Sequence, residues 1–340
     1  MSETYADVAI IGGGPAGIAC AIEAGHRGLS CTVIEKGGIA DSIRRFPVNM
    51  TFFSTPELLE LDDIPFTTTN FRPNRAEVLR YYAKVAAYRR VSFLLHTEAL
   101  AAQASDAGVR VETSAGIVQA KALILATGYF DTPNVLGIPG ENLPHVTHYY
   151  DEPYRYTGSR VAVVGGKNSA VETALELYRH GAQVTMIHRG GELGRSVKYW
   201  MKPDIENRLK NGEIAAIYNA DVREIRPKEV VVQDVANGEF STLPADFVVL
   251  HTGYRPDAGL LARCGVGFDG RTLIPAHNPH TFETSTPRIY VAGSVLCGCE
   301  SYNIFIENGR KHAAPIIADI AKTVNPDFRH DDRGSGDERV

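Results

Sequence analysis

The chain has 340 residues, a hydrophobic fraction of 44% and a charged fraction of 22%, which are typical of a globular protein with room for two domains. A formal net charge of −5 gives no reason to expect nucleic-acid or anionic-membrane binding, and no apolar run reaches the length of a membrane span. The first residues lack the basic and apolar regions of a signal peptide, and five cysteines do not make a disulfide framework. We therefore expect a cytoplasmic protein.

A glycine-rich loop follows the first apolar run of the chain. Residues 8–11 are a predicted buried strand and residues 18–27 a predicted helix, with three spaced glycines between them. In this pattern one glycine permits a tight turn, one lets the backbone approach a pyrophosphate, and one lets the helix pack on the strand. A second predicted strand, over 31–34, ends in Glu35, an acid placed to accept hydrogen bonds from ribose hydroxyls. The residues predicted to hold this dinucleotide are Gly12, Gly14, Pro15, Ala16, Gly17, Glu35 and Lys36.

A second loop of the same kind lies in the middle of the chain, between a predicted strand over 160–164 and a predicted helix over 170–180. The next predicted strand, over 183–187, ends in the cations His188 and Arg189 rather than in an acid. Cations remove the repulsion that a 2′-phosphate would meet, and arginine can bind that phosphate, so the sequence predicts an NADPH site. Its loop residues either lie near the pyrophosphate or cap the helix. The predicted site residues are Gly165, Gly166, Lys167, Asn168, Ser169, His188, Arg189 and Arg195.

Two such loops in one chain indicate a flavin and a nicotinamide coenzyme. Two predicted strands end in Thr-Gly, at Thr127-Gly128 and at 252–253. Each is expected to be the last strand of a nucleotide-binding domain before the chain crosses to the other domain. A late strand and turn over 288–294, with Gly293 and Ser294 in the turn, and a helix over 302–323 are expected to complete the first domain.

The predicted fold is therefore α/β, with two Rossmann-like dinucleotide-binding domains. We expect an FAD-binding domain formed by residues 1–152 and 254–324, with an NADPH-binding domain over 153–253 inserted into it. The tail over 325–340 is charged and poor in apolar residues, so it is expected to be disordered.

Several further segments are not required for nucleotide binding alone. They are Met50-Thr51-Phe52-Phe53-Ser54, Ala126-Thr127-Gly128-Tyr129-Phe130-Asp131, Val146-Thr147-His148-Tyr149, Gly165-Gly166-Lys167-Asn168-Ser169 and Phe305-Ile306-Glu307-Asn308-Gly309-Arg310. With these segments the chain resembles the thioredoxin-reductase-like flavoproteins, and within them the bacillithiol disulfide reductase family. Thioredoxin reductases carry a Cys-x-x-Cys shortly before the second loop, whereas residues 147–151 here contain no sulfur. The resemblance implies an FAD enzyme that uses NADPH to reduce the disulfide of a low-molecular-weight thiol.

Cys297 and Cys299 form the one closely spaced cysteine pair of the sequence. In the resembled fold their turn approaches the flavin ring, so one hypothesis is that they relay electrons to a disulfide substrate. The alternative is that they are small residues in a tight turn. His148 is a candidate proton donor to a leaving thiolate, or else an ordinary hinge residue. Cys31, in a strand, and Cys264, in an expected surface segment, are interpreted as structural.

An alternative function is a thioredoxin-reductase-like ferredoxin or flavodoxin NADP reductase, which transfers electrons without redox cysteines. A non-catalytic nucleotide sensor is a further alternative. The expected partners are a small-molecule disulfide or a small redox protein, with no nucleic acid, no membrane and no metal, and the chain is expected to form a homodimer or higher homo-oligomer.

Overall fold

The computed structural model describes residues 2–300 and 303–324, and the chain divides into two compact units. Of the described residues, the first unit takes 2–44, 52–131, 255–300 and 303–324, and the second takes Arg45–Thr51 and Thr132–Tyr254. The second unit thus begins its main segment at residue 132, whereas the sequence-based boundary was placed at 153. The segment 132–152 belongs there because Val146–Thr147 pairs with a strand of the second unit's sheet. The expected disordered tail over 325–340 lies outside the described residues.

The strands are numbered in chain order. They are β1 Ser2–Ile11, β2 Cys31–Ile34, β3 Phe93–Leu94, β4 Ala99–Ser105, β5 Gly108–Thr113, β6 Gly116–Leu125, β7 Thr132–Pro133, β8 Val146–Thr147, β9 Arg160–Val164, β10 Gln183–Ile187, β11 Ala215–Ile217, β12 Ala220–Arg226, β13 Glu229–Asp234, β14 Phe240–Pro244, β15 Phe247–Leu250, β16 Tyr254–Arg255 and β17 Ile289–Val291.

The helices are numbered in the same way. They are α1 Pro15–His26, α2 Asp41–Arg44, α3 Pro56–Leu59, α4 Arg75–Tyr88, α5 Asn168–Arg179, α6 Lys202–Lys210, α7 Ala258–Arg263, α8 Ile306–Gly309 and α9 Ala313–Val324, with 3-10 turns at Tyr154–Tyr156, Gly293–Cys297 and Arg310–His312. No helix within residues 2–300 and 303–324 is long and apolar enough to cross a bilayer.

The first unit is built on a seven-stranded sheet in the order β3-β2-β1-β6-β5-β4, with β17 also paired to β6. The pairs β1–β2, β1–β6, β2–β3 and β6–β17 are parallel, whereas β4, β5 and β6 form an antiparallel meander. The small and apolar faces of α1 and α9 pack together on one side of the sheet, where Cys20, Ala24 and Ile317 are fully buried. Because β1 and β6 are parallel, their carboxyl ends and the loops that follow lie at one edge.

The second unit is built on a parallel sheet in the order β11-β10-β9-β15-β8. One core contains the apolar residues of α5 and α6, and a second contains those of the antiparallel sheet β12-β13-β14. Such an arrangement of parallel strands and a crossover helix is the Rossmann-like half predicted from the second glycine loop. The predicted α/β fold class is therefore confirmed.

The predicted helix over 302–323 differs from the structure. Residues 303–305 precede α8, and a 3-10 turn at Arg310–His312 separates α8 from α9. Residue 302 lies outside the described part of the chain. The break occurs beside Gly309, whose missing Cβ would stand 3.3 Å from the Gly293 Cα, so close packing against the late turn shapes this region.

Candidate functional site

The first glycine loop joins the carboxyl end of β1 to the start of α1. Gly12 has φ +110°, and a Cβ there would overlap the carbonyl oxygen of Ala126, while a Cβ at Gly17 would overlap the carbonyl oxygen of Gly12. A Cβ at Gly14, by contrast, would meet nothing within 4 Å. Gly14 is the N-cap of α1, makes no side-chain cap bond, and precedes Pro15 at the first helical position. An open, uncapped helix N-terminus fits a pyrophosphate.

Glu35 stands beside this loop at the end of β2. Its side chain is buried and accepts the Gly13 N–H at 2.7 Å through Oε2 and the Gly37 N–H at 2.7 Å through Oε1. Each carboxylate oxygen keeps lone pairs that ribose hydroxyls could use, so the residue fits its predicted role. Lys36 is instead turned to Asp131, with 2.9 Å between Nζ and Oδ2, so a cofactor contact would compete with that ion pair.

The late turn packs against the first loop. A Cβ at Gly293, which has φ +72°, would stand 2.6 Å from the Ala16 Cβ, and a Cβ at Gly128, which has φ +65°, would stand 3.2 Å from the Ser294 Oγ. The structure thus brings together predicted residues from three parts of the chain, with Thr127 directly before Gly128.

His312 holds this late turn and was not predicted. Its Nδ1 accepts the Gly293 N–H at 3.1 Å. Burial, with a smaller effect of His277, lowers the pKa of His312 to about 4, so the ring is neutral at neutral pH and can accept that bond.

The second loop joins β9 to α5. Gly165 has φ +136° and donates its N–H to the Ile187 carbonyl at 2.9 Å. Lys167 is the N-cap of α5 without a side-chain cap bond, and it is exposed, as is Ser169. The Asn168 Oδ1 accepts the Lys198 N–H at 3.0 Å. Asn168 therefore holds the segment that follows β10, whereas Lys167 and Ser169 remain open to a phosphate.

The cations predicted after β10 differ in character. The His188 ring lies against Gly166, where a Cβ would stand 2.6 Å from two ring carbons. Burial and then Arg189 lower the pKa of His188, so the expected cation at this position is a neutral ring at neutral pH. Arg189 and Arg195 are exposed and form no ion pair within the described residues. The two arginines are therefore the candidate ligands of a 2′-phosphate.

The two cysteines of the late turn lie in different environments. Cys297 is buried, its thiol donates to the Ile304 carbonyl at 3.5 Å, and burial raises its pKa. Cys299 is exposed. Gly298 between them has φ +54°, and a Cβ there would overlap the Thr272 carbonyl oxygen, so this sharp turn requires glycine. Cys297 also lies near Tyr129, whose pKa burial raises to about 12, with Cys297 as the smaller cause.

Cys264 was expected in a surface segment, but it is 1% exposed and belongs to the core of the first unit. The expectation was wrong because α7 packs its apolar face onto the β4 side of the sheet. Burial raises its pKa to about 11, so the thiol stays protonated at neutral pH, which fits a structural role.

His148 lies in the second unit and is part-buried. Its Nε2 is 3.1 Å from the Glu141 Oε1, and its Nδ1 is 3.3 Å from the Thr252 Oγ1. The sequence pattern identified neither partner, because they lie 7 and 104 positions away from the histidine and carry no motif of their own.

A family model for pyridine nucleotide-disulphide oxidoreductases matches residues 9–293, which include both glycine loops and both Thr-Gly strand ends. The chain belongs to the pyridine nucleotide-disulphide oxidoreductase family. It is a flavoprotein oxidoreductase with FAD and NAD(P)H as cofactors, and the open N-termini of α1 and α5 fit two such dinucleotides.

Similar proteins extend the match over nearly the whole chain. The bacilliredoxin reductase Bdr of Bacillus subtilis is 41% identical over 317 residues, which are 93% of this chain and 98% of the relative. The solved structure of bacillithiol disulfide reductase Bdr from Bacillus cereus superposes with a TM-score of 0.91 at 39% identity, covering 94% of this chain and all of that chain. A ferredoxin–NADP reductase of Ignicoccus hospitalis is 26% identical over 85% of this chain and 90% of its own length, so the alternative function has weaker support.

Proposed function

We propose that this enzyme oxidises NADPH and uses the two electrons to reduce a disulfide of the bacillithiol class. Each turnover would consume one NADPH, one proton and one disulfide and release NADP⁺ and two thiols. The observation that carries the proposal is the 41% identity, over 93% of this chain, to a protein named bacilliredoxin reductase. The similar structure is named for bacillithiol disulfide, so a small disulfide and a small redox protein are the two acceptors to compare.

The chain's own residues would bind and orient the cofactors, which supply hydride transfer and two-electron storage when bound. The open N-terminus of α1 would hold one pyrophosphate, with Glu35 on the ribose. Arg189 and Arg195 would bind the 2′-phosphate and so favour NADPH over NADH, because a guanidinium pairs bidentately with phosphate.

Cys297 and Cys299 remain proposed as the electron relay. The exposed Cys299 thiolate would attack the substrate disulfide, releasing one thiolate and forming a mixed disulfide. The buried Cys297 would lose its proton and displace the second thiolate, leaving a Cys297–Cys299 disulfide. Two electrons that originate from NADPH would then restore both thiols. The differing exposure supports this order of attack, since a substrate can reach Cys299 directly.

The test is anaerobic NADPH oxidation by the holoenzyme with three acceptors, namely bacillithiol disulfide, glutathione disulfide and oxidised bacilliredoxin. We expect turnover with at least one bacillithiol-class acceptor, and no turnover with any of them would refute the proposal.

Cys297→Ser and Cys299→Ser should each abolish acceptor reduction while NADPH still bleaches the flavin. Cys31→Ser, a partly buried thiol in β2, is the control and should keep full turnover. Unchanged turnover in both test variants would remove the relay but leave the proposed reaction.

A cytoplasmic location and a homo-oligomeric state stay predictions. Sedimentation of the holoenzyme would test the second, with a mass of about twice 37.0 kDa expected for a dimer.

A further inference from the structure

A polar cluster around His148 lies wholly within the second unit. Glu141 has a side-chain exposure of 6%, accepts hydrogen bonds from the backbone N–H groups of Leu136 and Gly137, each at 2.7 Å, and lies 3.1 Å from His148 Nε2. On the other side of the ring, the Thr252 Oγ1 is 3.3 Å from His148 Nδ1. Both ring nitrogens therefore have a polar partner inside this unit.

The hydrogen bonds of Thr252 decide which atoms carry the protons. The Thr252 hydroxyl lies 2.5 Å from the Asn134 carbonyl oxygen, and a carbonyl has no proton to give. The single hydroxyl proton is thus directed to Asn134, and only a lone pair of Thr252 is left for His148 Nδ1. Glu141 is likewise an acceptor when ionised. Two acceptors facing the two ring nitrogens are both satisfied only when each nitrogen carries a proton, as in an imidazolium.

The charges around the ring agree with this state. Although burial opposes it, the Leu136 and Gly137 amides and the His148 charge hold the pKa of Glu141 below its usual value. His251 is a further titratable group near the ring. Burial first and His148 second lower its pKa to about 4, so it is neutral, and its Nε2 is 2.8 Å from the Thr173 Oγ1. The Arg45 guanidinium lies over the Tyr149 ring, beside the residue that follows His148.

The backbone of His148 is also hydrogen-bonded to a residue of an aromatic stack. The Tyr254 hydroxyl donates to the His148 carbonyl oxygen at 2.7 Å, and the Tyr254 ring stacks on Tyr149 with 5.6 Å between ring centroids. The Arg45 guanidinium lies 5.6 Å from the centroid of the Tyr149 ring. The cluster therefore fixes three separate segments of the chain around Tyr149, namely the segment from 134 to 141, residues 148–149 and the turn from 252 to 254.

We propose that His148 is a positioning residue held as an imidazolium by Glu141 and Thr252, and that it is not the proton donor to the leaving thiolate. Both N–H groups are committed to Glu141 and Thr252, so neither can be given to a substrate without breaking the cluster. Glu141 acts through His148 to order the Tyr149–Tyr254 stack. The kinetic part of this inference rests on the proposed disulfide reduction, whereas the protonation state does not.

The protonation state can be read directly by nitrogen NMR of the holoenzyme labelled with ¹⁵N-histidine, using His148→Gln to assign the signals. At pH 7.5 we expect two protonated ring nitrogens for His148. In Glu141→Gln a neutral amide replaces the carboxylate, and we expect His148 to keep only one protonated ring nitrogen at pH 7.5. A wild-type His148 with only one protonated nitrogen at pH 7.5 would overturn the proposal, whether or not any disulfide is turned over.

The kinetic arm compares disulfides whose leaving thiols differ in basicity, for example cystamine and 5,5′-dithiobis(2-nitrobenzoate). Loss of a proton donor would slow the reduction of cystamine, whose leaving thiol is basic, far more than that of the aromatic disulfide, whose leaving thiol is acidic. A lost positioning residue lowers both rates by a similar factor, and we expect His148→Gln and Glu141→Gln to reduce both by about tenfold. A selective loss with cystamine, at least tenfold greater than with the aromatic disulfide, would show that His148 donates the proton. The control is His145→Gln, because the His145 ring bonds the Arg226 carbonyl oxygen at 3.1 Å, outside the cluster, and its loss should leave both rates unchanged.

Discussion

Gly14, the N-cap of α1, and Gly17, in its first turn, belong to one glycine motif, but the space around their missing side chains differs. At Gly17 a Cβ would overlap the chain itself, at the Gly12 carbonyl oxygen, so the fold demands glycine. At Gly14 a Cβ would meet no protein atom within 4 Å, so nothing in the polypeptide excludes alanine. The FAD pyrophosphate would therefore lie in the space beside Gly14, close to the backbone.

Replacing Gly14 by Ala should accordingly spare the fold and weaken FAD binding by at least tenfold, because the new methyl group would occupy the space needed by the phosphates. Flavin content after dialysis and the thermal midpoint of the apoprotein are the two measurements. Gly38→Ala is the matched control, since a Cβ at Gly38 also meets nothing within 4 Å. Equal flavin retention in both variants would contradict the assignment.

Arg189 and Arg195 carry the predicted coenzyme preference. Arg189→Gln should raise the KM for NADPH by about ten- to a hundredfold, the loss expected for a charge-assisted hydrogen bond, and leave the KM for NADH nearly unchanged. Arg223→Gln is the control, because that arginine already pairs with Asp221 on β12. Equal losses with NADPH and NADH would show that Arg189 does not contact the 2′-phosphate.

At the scale of elements, three strands next to the glycine loops have their predicted bounds, whereas β1, predicted over 8–11, begins at Ser2, and the helices also differ from their predicted bounds. The predicted bounds of β2, β9 and β10 are those found, because short apolar runs end sharply at glycine or charged residues. The predicted starts of α1 and α5 lay within the helices, three and two residues late, since loop glycines and Pro15 can belong either to a turn or to a first helical turn. The break between α8 and α9 lies beside Gly309, whose close approach to Gly293 joins residues distant in the sequence.

Helix α4 has a start that local rules describe. Asn74 accepts the Glu77 N–H and Glu77 accepts the Asn74 N–H, which together make a capping box. Asn74→Ala should lower the free energy of unfolding by about 1 kcal/mol, since the Glu77 N–H loses its side-chain acceptor. Urea denaturation measures this, with Lys84→Ala on the exposed face of α4 as the control expected to change it by less than half as much. A zero effect would mean that the cap is not formed.

At the scale of the whole molecule, part-buried histidines with strongly lowered pKa values occur in both units. His312 in the first unit and His251 in the second both have pKa values lowered to about 4, by burial first in each case. Neither could be identified from sequence, because burial depends on residues brought together by the fold. The same holds for the His148 partners, whereas both cofactor loops were predictable because strand, loop and helix are continuous in the chain.

These two histidines predict a loss of stability in acid. An unfolded histidine takes up a proton near pH 6.5, while the folded ones stay neutral until about pH 4, so unfolding binds protons between those values. The free energy of unfolding should therefore fall as the pH decreases from about 6.5 to 4. His312→Gln should reduce the number of protons taken up on unfolding by about one, so its free energy of unfolding falls less steeply with decreasing pH. His280→Gln, on an exposed loop, should not change this slope. Parallel curves for wild type and His312→Gln would contradict the assignment.

The short segment Arg45–Thr51 belongs to the second unit although the residues on both sides of it belong to the first. Val48 donates to the Asp151 carbonyl at 2.8 Å and Asn49 donates to Glu176 at 2.8 Å. A gene fragment spanning 132–254 would thus encode an incomplete coenzyme module. Anyone grafting that module into another reductase must transplant a heptapeptide from far upstream as well, and a recombination event in nature would face the same requirement.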